Sequence, residues 1–281
     1  MSFKIVVGIN GAQGGADALA LAYRLAPPGA ELSAVIVAVM DGHPSRGVNL
    51  DYDRYVREDT LLHLVDTREQ HHDLRGEVLE GSSVAAGLHA AVAALDADLL
   101  VIGACRRGLV GRVFSGDDVR QTLRGAPCPV AVAPRDFALA GGPIATVGLG
   151  WNGDAEAEHA LDFAKILAEG SGATLHALGV LGVQPWPPMD SVTALTEIAA
   201  ADGRLADRLG TLEVETTTVR GMAADELATF AAEVDVLVVG SHQRGPLGRI
   251  EMGSTSESLA RRCKRPLVVV PRAPQTTATP A

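Results

Sequence analysis

Two stretches of the chain have residue types and spacing suited to holding an anion. GACRRGLVGRVFSG (103–116) runs into Asp117-Asp118, and GSHQRGPLGRIEMG (240–253) runs into Ser254-Thr255. A glycine-rich loop that opens a helix offers unpaired backbone N–H groups and the positive end of the helix dipole, which together suit a phosphate. Gly253-Ser254-Thr255 adds two hydroxyls at that place. Asn10-Gly11 and Asn152-Gly153 each close a strand-like run, at the strand ends beyond which an open α/β sheet takes its ligand. The candidate ligand residues are therefore Asn152, Gly153, Gly240, His242, Gly253, Ser254 and Thr255, with the second half better equipped than the first.

Other chemistry is poorly supplied. The Gly-x-Ser-x-Gly and Walker patterns are absent, and no nucleophile, base and orienting group can be assembled into a trio. His242 is the acid–base candidate of the second loop, and a lone loop histidine is weak ground for catalysis, so no catalytic residue is assigned. His63, His71 and His72 lie near Asp66, Glu69 and Asp73, but adjacent histidines point different ways on a helix and read as a solvated face, so no metal site is assigned. Cys105 sits beside Arg106 and Arg107, while Cys128 and Cys263 flank apolar strands and read as unreactive filler. Arg107 matches Arg244 and Arg112 matches Arg249; these pairs solubilise the loops or reach phosphate. Trp186, in a Pro-rich loop, reads as partly buried against the sheet.

The elements that must position these loops occur twice. KIVVGINGAQGGADALALAYRLA (4–26) aligns with the run 145–168 when Asn10 is placed on Asn152. Gly15, Ala18, Leu19, Ala22, Leu25 and Ala26 then fall opposite Ala157, Ala160, Leu161, Ala164, Leu167 and Ala168, the spacing of a core-facing helical stripe. Asp98 to Gly103 matches Asp235 to Gly240, and Pro129 to Arg135 matches Pro266 to Arg272. Short continuous apolar runs of this kind fit strands buried on both faces of a parallel sheet. Second strands are expected over Glu31 to Val39 and Ala173 to Leu181, third strands over Gly76 to Glu80 and Leu212 to Val219, and helices over Ser83 to Leu95 and Met222 to Ala232. Alternating strands and helices make each half a doubly wound, five-stranded α/β domain with a parallel sheet. The halves are 1–135 and 145–272, joined by a Gly- and Pro-bearing linker at 136–144 and followed by a frayed tail at 273–281. Asp41 to Asp59 and Gly182 to Ser191 read as irregular loops.

At 281 residues, with 47% hydrophobic and 21% charged, the chain is ordinary globular material with room for two cores. Its 24 Lys and Arg against 34 Asp and Glu give a formal charge of −10, which argues against nucleic acid as a partner because phosphate neutralisation needs clustered cations. No apolar run reaches membrane-spanning length, Met1 to Ile5 carries no signal-peptide pattern, and three cysteines without a CxxC pair suit a reducing compartment; a soluble, cytoplasmic protein is expected.

The two halves resemble the universal stress protein family in its tandem form, over nearly the whole chain apart from the tail. Nucleotide-binding members carry Gly, two residues, Gly, nine residues, then Gly followed by Ser or Thr. Gly240 and Gly253-Ser254 match the first and last elements, with Gln243 in place of the middle glycine. In the first half Gly103 and Gly116 match, but Arg106 replaces the middle glycine and Asp117 the hydroxyl residue. Members that bind ATP usually have Asp-Gly-Ser after the first strand, where this chain has Asn10-Gly11-Ala12 and Asn152-Gly153-Asp154. The resemblance implies a Rossmann-like fold, ATP or another adenine nucleotide in the second half, with magnesium only alongside the nucleotide, and a degenerate first half. It also implies that the last strands, Val130 to Ala133 and Leu267 to Val270, pair so that the chain is its own pseudo-dimer; a homodimer of chains is a further arrangement that no single residue indicates. A ligand-free scaffold and a slow ATP hydrolase are the alternatives to a stress-response sensor or regulator.

Overall fold

The computed structural model describes residues 2–9, 13–39, 74–104, 116–140, 142–152, 155–182, 193, 196–200, 203, 206–207, 214–241 and 249–271. The histidine trio, Cys105, Arg106, Trp186, the irregular stretch after Val39 and the terminal tail lie outside these residues. The chain divides into two compact units, Met1–Gly142 and Pro143–Ala281.

In the first unit the order is β1 (Lys4–Gly8), α1 (Gln13–Leu25), β2 (Glu31–Val39), β3 (Arg75–Gly81), α2 (Val84–Leu95), β4 (Leu99–Gly103), α3 (Gly116–Leu123), β5 (Val130–Ala133) and α4 (Phe137–Ala140). The strands are parallel in the order β3-β2-β1-β4-β5. The second unit runs β6 (Thr146–Trp151), α5 (Ala155–Ser171), β7 (Thr174–Gly182), β8 (Val214–Gly221), α6 (Ala223–Phe230), β9 (Val236–Gly240), α7 (Ser254–Arg262) and β10 (Leu267–Val270). Its strands repeat the arrangement as β8-β7-β6-β9-β10, again all parallel. Chain order reverses between β1 and β4 and between β6 and β9, which is where a doubly wound sheet opens a crevice beyond its carboxyl ends.

The apolar runs behave as their composition requires. Every residue of β4 is buried, as are Val236 to Val239 of β9, because helices cover both faces of a central parallel strand. The helical stripes are also inside: Ala18, Leu19, Ala22 and Leu25 of α1, and Ala157, Ala160, Leu161, Ala164 and Leu167 of α5. Strand starts are fixed by matched carboxylates. Asp98 accepts from the Lys4 backbone N–H at 2.8 Å, and Asp235 accepts from the N–H groups of Ala145 and Thr146 at 2.9 and 3.0 Å. Helix α2 begins where Ser83 Oγ accepts from the Ala86 N–H at 3.1 Å and ends at Asp96 in the left-handed region.

The outer strands are less buried. On β3, Arg75, Glu77 and Glu80 face solvent, and on β8 Glu215 and Thr217 do the same.

Residues 136–140 depart from the expected bare linker. Four of them form α4, packed on α1. Asp17, only 1% exposed, accepts from the Asp136 N–H at 3.0 Å with one carboxylate oxygen and from the Ala138 N–H at 2.9 Å with the other. The Arg24 guanidinium lies 4.4 Å from the centroid of the Phe137 ring. A one-turn helix has no periodicity to betray it, and its anchor is more than a hundred residues away in sequence.

Thr122 in α3 is fully buried, and its hydroxyl has no hydrogen-bond partner among the described residues. The matching position of the second unit holds Leu259, also fully buried. An unsatisfied buried hydroxyl is a net cost, so Thr122→Val should raise unfolding stability by about 1 kcal/mol in a urea titration. A loss of stability would mean that the hydroxyl has a role in the folded chain.

Candidate functional site

In the second unit a cavity of about 360 Å³ opens at the carboxyl ends of β6 and β9. Gly150, Trp151 and Asn152 contribute one wall, Val239, Gly240 and Ser241 another, and the start of α7 from Gly253 to Ser256 a third. The remaining wall is apolar, from Ala157, Val180, Ala223 and Leu227. Gly150 has to be small. A Cβ there would lie 2.9 Å from a Leu227 methyl and 3.1 Å from a Val239 methyl, so bare backbone is what lets α6 approach β6.

The polar wall is built by the start of α7. Ser256 Oγ accepts from the Gly253 N–H at 3.0 Å and donates to the Gly253 carbonyl at 3.2 Å, which pins the helix entry. Its hydroxyl is thereby committed. The first-turn N–H groups of a helix have no partner within the helix, so this end is polarised to attract negative charge. Ser254 is exposed and Thr255 half-buried beside it. Ser241 is 6% exposed; its N–H donates to the Val270 carbonyl at 2.8 Å, while its Oγ is buried without a partner among the described residues.

Five of the seven residues expected from sequence, Asn152, Gly240, Gly253, Ser254 and Thr255, thus surround one cavity. Gly153 and His242 lie outside the described residues, as does Gln243. Sequence reasoning missed Trp151, Ser241 and the apolar wall. Val180 and Leu227 are ordinary apolar positions in the sequence, and only the crossing of β7 and α6 beside β6 brings them together.

In the first unit the end of β4 meets the start of α1. A Cβ on Gly103 would run into the Gly14 carbonyl, and it would lie 2.6 Å from that carbonyl carbon and 2.8 Å from the Gly14 Cα. The start of α1 is therefore held against the end of β4. Ala104 stands where the second unit has Ser241, and its N–H donates to Ala133 in the same way, at 2.8 Å.

Among the described residues no group of three or more His, Cys, Asp or Glu is placed to hold an ion. Burial pushes the Cys128 thiol up to about 12 and the Cys263 thiol up to about 11, so both stay protonated and inert at neutral pH. No helix among the described residues is long and apolar enough to cross a membrane.

A model of the universal stress protein family matches residues 1–134 and again 144–271. The chain belongs to the universal stress protein family. Both copies of the α/β unit are accounted for by that double match. Among curated members, Universal stress protein Rv2005c of Mycobacterium tuberculosis is 31% identical over 183 residues, a match spanning 62% of this chain and 62% of that relative, less than two thirds of its length. Universal stress protein Rv2319c of the same organism is 26% identical over 293 residues, covering 95% of this chain and 99% of the relative. A solved universal stress protein from Archaeoglobus fulgidus DSM 4304 superposes with a TM-score of 0.67 over 96% of this chain and 98% of its own, at 16% identity, and shares the tandem fold.

Proposed function

We propose that the second domain binds ATP or another adenine nucleotide in the cavity beyond β6 and β9, and that the protein acts as a stress-response sensor or regulator through that binding. The observation that carries this reading is the polarity of the cavity, apolar at Val180, Ala223 and Leu227 and anion-seeking at Gly253 to Thr255. A nucleotide has the same division, a flat base at one end and phosphates at the other. Asn152 lines the same cavity, and its amide is suited to a ribose hydroxyl. A volume near 360 Å³ is in the range of small-molecule sites and too small for a folded partner. Magnesium would enter with the phosphates, since no cluster among the described residues is placed to hold it alone.

Titration calorimetry with ATP and magnesium tests the proposal, using the intact chain and Ser254→Asp. A carboxylate at the first position of α7 favours the helix and leaves the fold in place. Set about 4 Å from a phosphate charge, it opposes binding by up to ~4 kcal/mol at an effective dielectric near 20. Binding should therefore weaken, by up to about a thousandfold. A wild-type chain that takes up neither ATP, ADP nor cyclic AMP at millimolar concentration, with no rise in melting temperature, would leave a ligand-free scaffold as the better account.

A further inference from the structure

We infer that the Ser241 hydroxyl contacts the ligand of the second domain. The inference rests on the nucleotide reading above and adds a residue to it. Ser241 lines the cavity directly after Gly240 and is more than nine-tenths buried. Its backbone N–H is committed to the Val270 carbonyl, while its hydroxyl has unspent hydrogen-bonding capacity.

Two comparisons within the molecule support a ligand role over a folding role. The neighbouring Ser256 hydroxyl, in the same cavity wall, is fully engaged with Gly253, as a structural hydroxyl should be. At the matching position of the first unit, Ala104 makes the same backbone bond, to Ala133, without any hydroxyl. The fold therefore does not need the oxygen. Buried polar groups are otherwise almost always satisfied, and an orphan at the edge of a cavity is explained if a bound molecule supplies the partner. The Oγ is shielded from solvent, so contact with a ligand requires the side chain to turn about χ1 into another staggered well. As donor and acceptor in one atom, it suits an oxygen of the nucleotide.

The test is Ser241→Ala in the full chain, with melting temperature measured without nucleotide and ATP–magnesium affinity measured by calorimetry. The substitution installs the residue that the first domain already carries. The expected result is a melting temperature unchanged or raised, with a Kd for ATP about tenfold higher or more. An unchanged Kd beside a wild-type chain that binds ATP overturns the inference and leaves the nucleotide reading standing. A lowered melting temperature also overturns it, because the hydroxyl would then be structural. A wild-type chain that binds no ATP removes the nucleotide reading and this inference with it.

Discussion

Asp17→Ala should lower the stability of the first unit by about 3 kcal/mol and open the segment after Arg135 to proteases. The buried carboxylate accepts two backbone N–H groups at 3.0 and 2.9 Å, and hydrogen bonds to a charged acceptor contribute roughly 1.5–3 kcal/mol each. Alanine would leave both N–H groups without their acceptor and release α4 from α1. The Arg24–Phe137 contact, worth about 0.5–1 kcal/mol, would not hold the turn alone. Urea unfolding followed by circular dichroism measures the first effect. Timed chymotrypsin digestion measures the second, since the buried Phe137 becomes cleavable when α4 leaves its seat. Asp17→Asn, which keeps one acceptor oxygen, should fall between wild type and alanine. Equal stability and equal digestion rates for all three chains would show that the linker is not held by this contact.

A comparable loss is expected from the smallest change possible at Gly103. In Gly103→Ala the new methyl meets main chain, the Gly14 carbonyl group and Cα, and not the yielding end of a side chain. Overpacking usually costs about 1–3 kcal/mol, and a clash with backbone at a helix start belongs at or above the upper end, about 3 kcal/mol. Helix α1 would have to retreat from β4, disturbing its first turn. Gly182→Ala is the control, since a Cβ at that position meets nothing within 4 Å and should change stability by less than about 0.5 kcal/mol. Paired urea titrations read both. If Gly103→Ala unfolds at the same midpoint as the control, the close approach of α1 to β4 is not a feature of the folded protein.

Much of the architecture was legible in the sequence because parallel sheets write themselves as continuous apolar runs. The run 99–103 and its repeat at 236–240 could be read as central strands without any structure, and the stripe from Ala18 to Leu25 could be read as a core face. The third strands were found with ends one or two residues off, since β3 and β8 are half-exposed and mix charge with β-branched residues. The candidate site was half legible. Gly240, Gly253, Ser254 and Thr255 announce themselves through spacing along one loop. Val180, Leu227 and Asp17 do not, because their roles depend on which element lies beside them after folding. Ser241 escaped for a different reason: it sits between two residues that drew attention, and only its burial without a partner distinguishes it.

The charged outer strands bear on how the protein behaves when concentrated. A strand at the margin of a sheet is a template on which another chain can pair, and flat apolar margins seed aggregates. Here an arriving strand would have to strip water from Arg75, Glu77 and Glu80 on β3, or from Glu215 on β8, before gaining a ladder of backbone bonds. In a molecule with a net charge of −10, those side chains guard the places where β-structure could otherwise propagate from one chain to the next.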